Sequence, residues 1–82
     1  MNVAAPQFLN PEDWGARCAE SLSLIEAKIL ARAVTPADAS ALRAALGNMV
    51  EGLSLISMAM DEGGRWSERR LRAERALAKV SN

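Results

Sequence analysis

The side chains of this chain that could do chemistry are few and poorly placed for catalysis. Carboxylates stand in adjacent pairs at Glu12-Asp13 and Asp61-Glu62, but neighbouring residues on a helix point in different directions, so neither pair makes a general acid–base couple. Both pairs belong near helix ends. Asp61-Glu62 fall at a C-terminus, the unfavourable end for negative charge, where Arg65 is placed to neutralise them. Histidine is absent, which removes the commonest general base and the commonest metal ligand. A single cysteine, Cys18, excludes an internal disulfide and a thiolate zinc cluster, and at an apolar helical position it reads as a small hydrophobe. Gly63-Gly64 lack the Lys and Ser or Thr that complete a phosphate-binding loop. With no nucleophile beside a base, the expectation is a protein that is not an enzyme, with no metal and no cofactor.

Charge is the next source of function. Lys plus Arg equals Asp plus Glu at ten each, which disfavours a strongly basic nucleic-acid binder or a polyacidic DNA mimic. The balance hides a polarity: residues 1–62 hold eight acids and four bases, a net of −4, and residues 63–82 hold six bases and two acids, a net of +4. The tail is therefore a basic segment whose Trp66, Arg69, Arg70, Arg72 and Arg75 are candidate contacts to a partner. Arginine beside a tryptophan can touch phosphates or stack on bases. Glu68 within reach of Arg72 and Glu74 within a turn of Arg70 dilute the positive field, so carboxylates of a protein are favoured over nucleic acid as the tail's target.

The elements that must carry these residues are helices. Only eight residues are Val, Ile or Thr, too few for strands. Asn10-Pro11-Glu12-Asp13 and Thr35-Pro36-Ala37-Asp38 repeat one starting device: a side-chain oxygen at the cap, Pro at the first helical position, and a carboxylate in the first turn. The chain divides into a leader over 1–10, helix one over 11–34, helix two over 36–62, and a basic helix over 65–80, with Ser67 as its only good cap candidate. Pro36 allows helix one to run to Ala33 or Val34, leaving a link of two or three residues. So short a link predicts antiparallel neighbours.

Apolar spacing gives the core. Leu42, Leu46, Met49, Leu53, Ile56 and Met60 recur at four, three, four, three and four, a coiled-coil seam. Trp14, Cys18, Leu22, Ile25 and Ile29 form the facing stripe. Helix two carries a second set, Ala45, Gly52, Leu55 and Ala59, which two helices packed only on each other cannot cover. These four are the other candidate partner contacts, since small residues permit close helix approach. The fold expected is an all-α antiparallel helical hairpin plus a short basic C-terminal helix, completed to a bundle by self-association as a homodimer. The competing arrangement folds the third helix and Phe8-Leu9 of the leader back over that face.

Helix, Pro-containing turn, then Ala41-Leu42-Arg43-Ala44-Ala45-Leu46 and Gly52-Leu53-Ser54-Leu55-Ile56 over about residues 12–62 resemble the short hairpins of type III secretion needle subunits and their co-chaperones. The resemblance implies a chaperone or adaptor that offers a helical groove to a partner helix. Gly63-Gly64 and the basic tail depart from it. A non-enzymatic protein-interaction module is thus the leading expectation. An inhibitor from a phage or mobile element that blocks a host nucleic-acid-handling complex, in the manner of an anti-CRISPR, stands beside it, and a DNA-binding regulator comes last. The longest uncharged run of the helical part, Gly52 to Met60, has nine residues, about half a membrane span, and no secretory signal opens the chain. A cytoplasmic protein without a membrane partner is expected.

Overall fold

Asn10 and Thr35 fix where the first two helices begin. In the computed structural model, which describes residues 10–60 and 62–81, the Asn10 carboxamide oxygen accepts from the Asp13 amide at 3.1 Å, and the Thr35 hydroxyl oxygen accepts from the Asp38 amide at 3.1 Å. Each satisfies one donor that a helix start leaves open, and Pro11 and Pro36 follow where a missing N–H costs nothing. The elements are α1 (Pro11–Leu30), α2 (Pro36–Met60) and α3 (Arg65–Ser81), with one 3-10 turn at Glu62–Gly64. The described residues are all-α, without a strand.

The ends of α1 and α2 differ from expectation. α1 stops at Leu30, four residues before the expected boundary at 34, and the link to α2 has the five residues 31–35. The cause is a two-bond C-cap: the Arg32 amide donates to the Ile29 carbonyl and the Ala33 amide to the Lys28 carbonyl, both at 3.0 Å. That closure needs a left-handed residue, here Arg32 at φ 56°, where glycine is usual. A non-glycine residue there costs roughly 1–2 kcal/mol. α2 ends at Met60, and Gly63 and Gly64, at φ 69° and 74°, turn the chain back. α3 starts at Arg65, so Ser67 is not its cap; its hydroxyl lies 3.0 Å from that of Ser57 on α2.

α3 runs antiparallel to α2 from that Ser57–Ser67 contact to the other end, where the Arg43 guanidinium donates to the Val80 carbonyl at 3.3 Å. These two helices are the closest pair, and the buried Ala73 and Ala76 are the residues that permit it. α1 runs antiparallel to α2 at wider spacing, tied at one end by Lys28 to Asp38 at 3.5 Å. The expected stripes do turn inward: Leu22 and Ile25 join Leu46 and Leu53 in one core. Trp66, Ala73, Ala76 and Val80 of α3 complete it, with Trp14, Ile29, Leu42, Met49 and Ile56 packed around. Met60, the last residue of the seam, is exposed.

Two tryptophans set the position of α1. A Cβ on Gly52 would stand 2.4 Å from the Trp14 ring, and a Cβ on Gly15 would stand 2.8 Å from the Trp66 ring. Each ring therefore sits on a helical glycine of a neighbouring helix. Consecutive residues of α1 act in opposite directions, Trp14 reaching to α2 and Gly15 receiving α3. The Arg69 guanidinium stacks 4.6 Å from the centre of the Trp66 ring, within cation–π range.

Candidate functional site

The nine residues singled out as partner contacts divide between the interior and the surface. Trp66 is fully buried and belongs to the core, because Gly15 leaves the space its ring fills. Gly52 is covered by Trp14, so its lack of a side chain serves contact within the chain. Arg69 is committed to the Trp66 ring, with Nη1 buried against Gly15. Arg70 is half-buried with its Nε out of solvent. Arg72 does not pair with Glu68 as expected: its guanidinium grips Glu26 on α1 with two hydrogen bonds at 2.7 and 2.9 Å and reaches the Ser23 hydroxyl at 3.1 Å. Those two bonds hold the Glu26 carboxyl below its usual range. Arg65 pairs with Glu12 on α1; the acids at 61–62, its expected partners, lie outside the residues whose side chains are described. Ala45, Leu55, Ala59 and Arg75 remain exposed.

The exposed part of α2 is the most unusual surface. Thirteen of its residues are exposed and only Arg43 and Glu51 among them are ionisable, so this face is held out of the core without the charges that normally solvate such a face. Ala37, Ala41, Ala44, Asn48, Leu55 and Ala59 recur along it at four, three, four, seven and four, a second coiled-coil spacing on the side turned away from α3. Leu55 is 64% exposed and Met58 83%. The sequence pointed at this side through Ala45, Leu55 and Ala59; α3 covers a different one.

A second feature went unread in the sequence. Where α1 and α3 end, two adjoining hollows of about 370 Å³ each meet at Ile29 and Lys79. Arg32, Arg75 and Lys79 stand around them, and the exposed Leu30 lies on the edge. The usable signal was the i, i+4 spacing of Arg75 and Lys79; the left-handed turn that brings Arg32 to them has none.

Burial raises the Cys18 thiol above its usual range, against a smaller opposing pull from the Arg69 charge. A thiol of that kind is a poor nucleophile at neutral pH. Among the described residues no group of acids and cysteine could hold a metal ion, and no helix is long and apolar enough to cross a membrane. No family model, curated protein or solved structure matches this chain. The likeness of residues 12–62 to secretion-needle hairpins therefore rests on hydropathy pattern alone.

Proposed function

We propose that the protein is a non-enzymatic interaction module that binds a partner protein's helix along the outward face of α2. One observation carries the reading: after α1 and α3 have covered the inward side of α2, Leu55 and Met58 remain exposed on a face with two ionisable residues in thirteen. An apolar strip of that kind is a common mark of a binding surface. Its small residues let a second backbone come close, and Leu55 supplies an anchor. A chaperone or adaptor and an inhibitor of a larger host complex both fit this geometry; they differ in what is captured, a single helical protein or a large assembly.

A homodimer through the same face is the second reading, favoured by the order of residues. An antiparallel α2–α2 pairing with its two-fold axis at Asn48 sets Leu55 opposite Ala41 and Ala59 opposite Ala37, large against small and small against small. Photo-crosslinking from position 59 in extracts of the native host, with sedimentation equilibrium of the purified chain, tests both. Crosslinks lost in L55D together with M58D support the reading, and a dimer mass lost in the same variant identifies the partner as a second copy. Unchanged crosslinks and an unchanged mass would overturn the reading.

A further inference from the structure

We infer that the cleft between the C-terminal ends of α1 and α3 is a second docking site, built for an acidic amphipathic helix of another protein. Its floor is apolar, with Ile29, Val34, Ala76 and Val80 lining the two hollows. Four cations border it: Arg32, Arg72, Arg75 and Lys79. The one carboxylate in the lining, Glu26, is held by two hydrogen bonds from Arg72. Arg32, Arg75 and Lys79 make no ion pair among the described residues; Glu26, already held by Arg72, acts on Lys79 only through space, so three positive charges border an apolar floor without a paired carboxylate among the described residues.

Spacing selects a helix as the occupant. Arg75 and Lys79 lie one turn apart on α3, about 6 Å along the axis at 1.5 Å per residue, which is also the rise between residues i and i+4 of any helix laid beside it. Carboxylates at that spacing meet both cations, with Arg75 able to grip its acid through two parallel bonds. Leu30, 86% exposed on the rim, and Ile29 on the floor then receive the apolar residues of the same helix. A phosphate backbone would satisfy the cations and leave Leu30 without a counterpart. The α2 face of a second copy is poorly matched, because that helix carries Glu51 as its only exposed acid. Of the exposed residues of α2 the cleft takes in only Pro36, at the end of the helix away from Leu55 and Met58, so this inference stands or falls separately from the proposed function.

The test uses the full chain, isotope-labelled for amide shift mapping, and a fluorescent synthetic helix of about 18 residues with Leu along one side and Glu at i, i+4 beside it. A second peptide carries Lys in place of every Glu, and random duplex DNA is the third ligand. The Glu peptide is expected to bind at least about tenfold tighter than the Lys peptide, with shifts gathered at Ile29, Leu30, Arg75, Ala76 and Lys79. R75E with K79E should lose that binding while E51K on α2 keeps it; both changes lie on exposed positions, and unaltered circular dichroism verifies the fold. L30D should weaken the Glu peptide with every cation in place. Equal binding of the two peptides, shifts gathered on α2, retention by the double variant, or tighter salt-sensitive binding of DNA at the same residues would each overturn the inference.

Discussion

α2 and α3 pack more closely than any other pair of helices in the chain, yet their outer faces are opposites. Two of thirteen exposed residues on α2 are ionisable, against five of eight on α3, namely Arg65, Glu68, Glu74, Arg75 and Lys79. α3 is the less apolar helix overall, and it still provides four core residues, including the fully buried Trp66. Its apolar residues fall mainly on one inward stripe, with Leu71, 42% exposed, left outside it. α2 has more than one stripe, and the helices of this chain cover only the inward one. Closure of the bundle and surplus apolar surface are therefore separate properties here: the first is supplied by α3, the second belongs to α2.

Removing the ring that α3 brings to the core should have the largest effect. Trp66→Ala is expected to cost about 3–5 kcal/mol, a large share of what a domain this small has. Urea denaturation followed by circular dichroism measures it. A loss below about 1 kcal/mol would mean that α3 is an appendage and that α1 and α2 hold together without it. Trp14→Ala should cost less, because that ring is only half-buried.

The glycines of α2 give a sharper comparison of inner and outer faces. A Cβ at Gly52 meets the Trp14 ring, whereas one at Gly47 meets nothing within 4 Å. Gly52→Ala should therefore lose about 1–3 kcal/mol through displacement of the ring, and Gly47→Ala should gain about 1 kcal/mol from helix propensity alone. Opposite signs for one substitution on one helix are what chemical denaturation should show. Two gains would indicate that Trp14 moves aside at little cost. On the outer face, L55D with M58D should leave the unfolding free energy within about 0.5 kcal/mol, since neither side chain supports the core.

Much of this architecture was legible in the sequence, for identifiable reasons. Asn10-Pro11 and Thr35-Pro36 are local signals with local causes, and the three-four spacing of Leu46, Met49, Leu53 and Ile56 survives whichever helix packs against it. Two things were not legible. Gly52 looks the same in a list of small residues whether it faces a partner or a tryptophan of its own chain, and only the register of α1 against α2 decides. Arg32 carries no mark of the left-handed conformation, so the early end of α1 and the position of that cation both escaped. The Arg-rich tail was misread for a related reason: charge predicts exposure, but Arg69 and Arg72 spend theirs on Trp66 and Glu26. The basic patch that remains lies one turn further on, at Arg75 and Lys79.

Arg32 also tests whether strain and function share a residue. Arg32→Gly should stabilise the chain by up to about 1 kcal/mol, relief of the left-handed strain being partly offset by a more flexible unfolded chain. The same change removes one of three uncommitted cations from the cleft. A variant that melts higher and binds the acidic helix less well would place both effects on this residue. A lower melting temperature would show that its guanidinium contributes more to the fold than its backbone costs.

The smallest expected effect is the pH dependence of the bond between α1 and α3. Hydrogen bonds from Arg72 hold the Glu26 carboxyl below its usual range in the folded chain, so the unfolded state takes up a proton first as the pH falls. The contribution is thus complete above the ordinary glutamate value of about 4.3, and it disappears as the pH drops through the depressed folded value. Because the Glu26 side chain is 41% exposed, solvent screening limits the contribution to less than about 1 kcal/mol. Thermal melts of the wild type and Glu26→Gln at pH 7 and pH 3 separate it from the other carboxylates. The variant should lose a little stability at pH 7 and show a smaller further loss at pH 3, since Gln has no charge to be titrated away. If both proteins lose the same amount between the two pH values, the Glu26–Arg72 pair holds no net stability, and the attachment of α1 to α3 rests on the remaining contacts, chiefly the Trp66 ring on Gly15 and Arg65 with Glu12.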